Sequence, residues 1–192
     1  MKEMNGVFCL KGYFVDSNIL IDIKKIMTGQ IDPRQSRYHR NYADLIDLVT
    51  SGKVEILVVP TVLEEIKRGS HKDDGLTEMF IQRFCTVCEF EDEELSLVDS
   101  LYEDYIYGDD DSVIPIFKEV GNMIKCNTKD ARILAEVTVL YNGVNYDALK
   151  FITNNIADFI NTDGVRDINR EYGLKSVPFN SIRATNVKNE IR

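Results

Sequence analysis

The sequence predicts an α/β fold in three layers, a parallel β-sheet flanked by helices, on three observations. Short apolar runs rich in β-branched residues alternate with amphipathic stretches along all 192 residues. One run, VEILVV at 54–59, is apolar almost throughout, as strands buried on both faces are. Strands separated by helices are joined by right-handed crossovers, which lay them parallel.

The first strand covers residues 12–15 and meets Asp16, after which Ser17 and Asn18 lead into a second apolar stretch. Tyr42, Leu45, Ile46 and Val49 recur at i, i+3, i+4 and i+7, a helix ahead of the strand at 54–59. Pro60 suits the first position of the next helix, whose buried face is Val62, Leu63 and Ile66. FCTVCEF at 84–90 reads as a third, buried strand. Helical spacing returns in Val98, Leu101, Tyr102 and Tyr105, in Val113, Ile116, Phe117 and Val120, and in Ile133, Val137, Leu140 and Tyr141. LKFIT at 149–153 is a fourth strand and SVPFNSI at 176–182 a fifth, which Pro178 pushes toward an edge.

The length suits one substantial core, so a single domain over 1–192 is expected. No apolar stretch approaches the roughly 20 residues that span a bilayer, and the N-terminal residues lack the long apolar core of a secretory signal, which points to a cytoplasmic protein without membrane contact. Cys85 and Cys88 lie within the third strand, and the chain's two histidines, His39 and His71, are distant in sequence; reduced, structural cysteines are expected rather than a zinc site. With 23 Lys+Arg against 32 Asp+Glu the net charge is −9, which argues against a broad basic surface for nucleic acid. Local basic stretches remain at 33–40 and 67–72, including Arg37, Arg40, Lys67 and Arg68. The acidic run GDDDS lacks the spaced ligands and terminal Glu of a calcium loop and reads as a solvated turn.

In a parallel α/β sheet ligands bind at the carboxyl ends of the strands, and acids recur there. Asp16 ends the first strand. After the second, Glu65 falls roughly 110° from the middle of its helix's buried face and Glu64 roughly 150°, so Glu65 is the acid at the core margin. Asp130 lies within about 20° of the centre of an apolar stripe, in a first turn where the helix dipole also favours an acid. Thr153, Asn154 and Asn155 follow the fourth strand, and Asp158 comes three residues later. Each acid has an ordinary explanation as a helix cap or first-turn charge. Gathered in one crevice they would repel strongly without a cation, and hard oxygen ligands without histidine suit Mg²⁺ or Mn²⁺.

The order VDSNILID, VLEEI, KDARILAEV, FITNNIADF resembles the PIN-domain family of metal-dependent ribonucleases, which includes VapC-type toxins. The resemblance runs from about residue 12 to the final strand. It implies a Rossmann-like sheet and a cleft of three or four acids on Mg²⁺ or Mn²⁺, supporting hydrolysis of RNA phosphodiester bonds through a metal-activated water. On this resemblance Asp16, Glu65 and Asp130 hold the principal metal, and Asp158 binds a second or orients water. Asn18, Thr153 and Asn155 position water or substrate. Many members carry an acid where this chain has Asn155. The implied partners are RNA, single-stranded or structured, and the antitoxin of a toxin-antitoxin pair; a homodimer is left open. The alternative is a PIN-like scaffold that binds nucleic acid or a protein without cleaving. A nucleotide-binding protein of another kind is disfavoured, because no glycine-rich loop follows any strand.

Overall fold

Five strands form one all-parallel sheet in the order β3-β2-β1-β4-β5. The computed structural model describes residues 11–35, 37–69, 75–107, 128–143, 149–154 and 162–181. In chain order the elements are β1 (Lys11–Val15), α1 (Ser17–Met27), α2 (Arg37–Thr50), β2 (Val54–Val58), α3 (Pro60–Gly69), α4 (Leu76–Phe84), β3 (Cys85–Val87), α5 (Asp92–Tyr107), α6 (Thr128–Gly143), β4 (Lys150–Ile152), α7 (Thr162–Glu171) and β5 (Phe179–Asn180). This is the α/β, Rossmann-like parallel sheet that the sequence predicts, and it is consistent with a PIN-like fold. Among the described residues no helix is long and apolar enough to cross a membrane.

The central strands are apolar on both faces because helices cover both. Tyr13, Phe14 and Val15 of β1, Ile56, Leu57 and Val58 of β2, and Phe151 and Ile152 of β4 are all buried. Helix α1 contacts α2 and α4, and α5 contacts α6 and α7; α3 touches α1 and α4 and also α6. The buried apolar side chains join into one contiguous core.

Local chemistry sets the element ends. Pro60 opens α3, where its missing N–H costs nothing. The acidic run before α5 is a helix start: Asp92, Glu93 and Glu94 occupy the first turn and the Glu91 amide donates to Glu94 Oε2 at 3.0 Å. Helix α2 stops at Gly52, whose φ of 68° needs a residue without a Cβ. Lys53 N–H then reaches Leu48 O at 2.9 Å and Gly52 N–H reaches Val49 O at 3.0 Å, the paired closure of a glycine-terminated helix.

Four expectations need correction. The strand predicted at 84–90 is only Cys85–Val87; it pairs with β2 alone, and Thr86 and Val87 are exposed. Phe84 belongs to α4, which runs into β3 without a loop: Cys85 is at once the helix cap, with φ −122° and ψ 152°, and the first strand residue. The apolar reading of FCTVCEF mistook an edge strand for a central one because a helix end and a strand share it. Second, α6 is buried almost all round, from Asp130 to Leu140 apart from Arg132, rather than along one stripe. Third, α4 and α7 were not anticipated. The fifth strand, expected over 176–182, is only Phe179–Asn180 among the described residues; it lies at an edge, and the carbonyl of Pro178 just before it accepts the Phe151 amide at 2.9 Å. The helix expected around Val113–Val120 lies outside the described residues.

Candidate functional site

The strand order reverses between β1 and β4: from β1 the chain builds outward to β2 and β3, and then returns to add β4 and β5 on the other side. Such a switch point opens a crevice at the carboxyl ends of the two central strands. Asp16 is the residue after β1 and Thr153 the residue after β4, so the crevice is walled by these two.

Asp16 is 3% exposed. Its amide donates to Ile152 O at 3.2 Å, continuing the β1–β4 ladder by one residue, and its carbonyl accepts the Ile19 amide at 3.0 Å. It stands at the N-cap of α1 in extended conformation, yet its side chain makes no capping hydrogen bond. The carboxylate instead accepts from Thr153 Oγ1 at 2.9 Å, Ser17 Oγ at 3.2 Å and Asn18 Nδ2 at 3.4 Å. Asn18 and Thr153, singled out in the sequence, are thus both brought onto Asp16. All three donors are neutral, so they orient the carboxylate without neutralising it.

A second polar group borders this one and was not foreseen. Tyr42 OH donates to Asp22 Oδ2 at 2.9 Å, Asn154 Nδ2 to Tyr42 OH at 2.6 Å, and Lys25 Nζ to Asp22 Oδ1 at 2.9 Å. Asn154 directly follows Thr153, and Asp22 lies one helical turn beyond Asn18 on the same face of α1. That i, i+4 relation is the sequence signal for Asp22; Tyr42 carries none, standing in an apolar helical stripe.

Glu65 faces a cavity of about 400 Å³ lined by Pro60, Thr61, Glu64, Glu65 and Arg68 of α3, Leu95 and Tyr102 of α5, and Lys129, Arg132 and Glu136 of α6. Glu65 is paired with Lys129 at 3.8 Å, with its side chain 20% exposed, whereas Glu64 is 63% exposed and pairs with Arg68 at 3.0 Å. Glu65 is therefore the half-buried acid of the two, as the helix phase predicts.

Glu136, at the floor of the cavity, is the charged group that sequence reasoning missed. Its carboxylate accepts Thr61 Oγ1 at 2.8 Å and the Thr61 amide at 3.1 Å, in the first turn of α3, and lies 3.6 Å from Arg132 Nε. Burial pushes its carboxyl above the ordinary value of 4.5, and the bonds from Thr61 and Arg132 act against that. Arg132 also donates from Nη1 to Asp99 and lies over the Tyr102 ring, 5.6 Å from its centroid. An arginine four residues before an acid in an apolar stretch was the sequence signal.

Asp130 is 6% exposed in the first turn of α6. Consecutive helix residues point about 100° apart, so with Lys129 turned to Glu65, Asp130 is directed elsewhere. Among the described residues no three His, Cys, Asp or Glu side chains converge as a group suited to a metal ion. Asp158 and Asn155 lie outside the described residues. Of the basic residues, Arg40, Lys67 and Arg68 are exposed. Cys85 and Cys88 are free thiols; burial pushes both up to about 12, with Glu55 and Glu136 adding to the effect on Cys88.

Asp16 and Asp130 are each buried carboxylates, the kind of hard oxygen ligand that Mg²⁺ or Mn²⁺ takes, with water and phosphate completing the shell. Glu65, tied to Lys129, would join such a shell only by leaving that pair.

No protein-family model matches the chain, and no curated protein matches its sequence. Among solved structures, that of VapBC2 from Rickettsia felis bound to a DNA fragment from their promoter is similar with a TM-score of 0.49 and 12% identity, over 88% of this chain and 98% of that one.

Proposed function

We propose that the chain is a metal-dependent endoribonuclease, acting in the crevice at the β1–β4 switch point and serving as the toxin of a toxin-antitoxin pair. The observation that carries the reading is the Asp16 carboxylate: buried at the carboxyl end of the central strand, it is held by three neutral donors and spends none of its charge on capping the helix. Placing an unneutralised acid at a ligand-binding crevice is costly unless a cation completes it. In this reading Mg²⁺ or Mn²⁺ supplies Lewis-acid chemistry that polarises a phosphoryl oxygen and activates water. Asp16 and Asp130 hold the ion and Glu65 and Asp158 complete the acidic set. Thr153 and Asn18 fix the Asp16 carboxylate in the orientation the ion needs, as outer partners of ligands do. Arg40, Lys67 and Arg68 track the RNA backbone.

A second reading, a PIN-like scaffold that binds without cleaving, is favoured by one observation: no three acids converge among the described residues. Cleavage of single-stranded RNA separates the two. With Mn²⁺ or Mg²⁺ the wild-type protein should cut, chelator should abolish cutting, and Asp16→Asn should slow it on the order of 10²-fold or more. Independently of activity, Mn²⁺ at about 100 times its Kd should raise the melting temperature by roughly 5–10 °C, and Asp16→Asn should erase the rise. RNA that binds but is never cut, with or without metal, would replace the enzyme with the scaffold.

A further inference from the structure

Helices α3 and α6 meet through two polar contacts that run in opposite directions along them. Thr61, in the first turn of α3, binds Glu136; Glu65, four residues on, faces Lys129, seven residues back along α6. Glu136 is buried and hydrogen-bonded twice to Thr61, so the first contact fixes how the helices lie. The second is of another kind. Lys129 Nζ stands 3.8 Å from Glu65 Oε1, within range of an ion pair and beyond that of a hydrogen bond, and its side chain is 48% exposed. A pair of this sort contributes little to stability and opens readily. Asp16, by contrast, is held by neutral donors, so the two acids differ in what answers their charge.

We propose that Lys129 is a built-in counter-ion for Glu65 that a divalent cation must displace, and that it thereby lowers the metal affinity of the crevice. The proposal rests on the reading of Asp16, Asp130 and Glu65 as ligands of Mg²⁺ or Mn²⁺. Lys129 immediately precedes Asp130, so the turn of α6 that carries one ligand also sets a competing charge on another. Acids gathered without a cation repel one another, and a lysine on its flexible stem relieves that repulsion with a single charge. Weakness is what makes the exchange possible. One ammonium, screened by solvent and without a directional bond, gives way to a dication that faces several carboxylates at once. An arginine in its place would hold the carboxylate with a planar fork of donors and yield less readily.

The test is calorimetry of Mn²⁺ binding to the full chain, without RNA, at about 0.15 M salt, where distant charges are screened. Lys129→Met keeps the stem and removes the charge; it should bind Mn²⁺ roughly two- to fivefold more tightly than wild type, the effect of releasing one exposed pair. Lys129→Arg keeps the charge and should bind less tightly than wild type. In a Glu65→Gln background Lys129→Met should lose most of its gain, because repulsion of the ion from a distance would survive there and competition for Glu65 would not. An unchanged or lower affinity in Lys129→Met overturns the proposal, as does an equal gain in the Glu65→Gln background. If Lys129→Met does not fold, Lys129→Arg in the two backgrounds decides. Metal-dependent RNA cleavage with no change of Mn²⁺ affinity in the Lys129 variants removes the counter-ion and leaves the nuclease reading; the exchange in a protein that never cuts RNA does the reverse. Failure of wild type and Lys129→Met alike to bind Mn²⁺ removes the counter-ion together with the metal site.

Discussion

Asp16 could have been an ordinary helix cap, and its position in the chain allows nothing else to be concluded; what separates it from a cap is that its oxygens face Thr153, Ser17 and Asn18 instead of the first amides of α1. The same distinction between a residue's place and its use applies to the neighbouring acids of α3. Glu65→Gln should lower Mn²⁺ affinity and cleavage together, on the order of tenfold or more, while Glu64→Gln, exposed and paired only with Arg68, should change either by less than about twofold. Calorimetry with Mn²⁺ reads the first effect without RNA, and equal losses in the two variants would mean that helix phase does not select between them. Cys85 and Cys88 give a further check on the local environment. With thiols pushed up to about 12, the thiolate fraction at pH 8 is on the order of one in ten thousand. Peptide mapping after iodoacetamide treatment at pH 8 should find both unmodified in the folded protein and modified in urea.

Between elements, the Glu136 carboxylate joins the start of α3 to the middle of α6 through Thr61, and so sets Glu65 against Lys129. Burial raises its folded value above 4.5, so the folded chain holds the proton more tightly than the unfolded chain does. That contribution to stability is complete below pH 4.5 and is lost as the pH rises through the raised folded value. Glu136→Gln cannot titrate. Its stability, from urea melts at a series of pH values, should fall less than that of wild type across the window just above pH 4.5; parallel curves would assign the titration to another group. Glu136→Ala goes further, leaving the Thr61 donors and Arg132 without their buried acceptor, and should cost about 1–3 kcal/mol.

For the molecule as a whole, the alternation of strands and helices is legible because the central strands are apolar on both faces, as in VEILV, and helices such as α2 and α5 carry a helical period of their own. Asp16, Asn18 and Thr153 were legible as a group because they stand at strand ends, which sequence can locate. Glu136 and Asp22 were not, since their importance lies in contacts with Thr61 and Tyr42, 75 and 20 residues away. Edge status was equally hidden: nothing in CTV states that only one neighbour will pair with it. The switch point has a kinetic consequence. The hydrogen bond between Thr153 and Asp16 closes a loop of 137 residues, whereas β1 meets β2 across about a third of that span. Long closures are entropically late, so β1–β2 pairing should precede the arrival of β4. Pulse-labelled hydrogen exchange during refolding should then protect the strand amides of β2 before that of Asp16, whose acceptor is Ile152 O; simultaneous protection would argue for a sheet that condenses at once. On a ribosome the same order means that a nascent chain must extend past Thr153 before its two crevice residues can meet, so the β1–β2 half of the sheet stands ready before the crevice does.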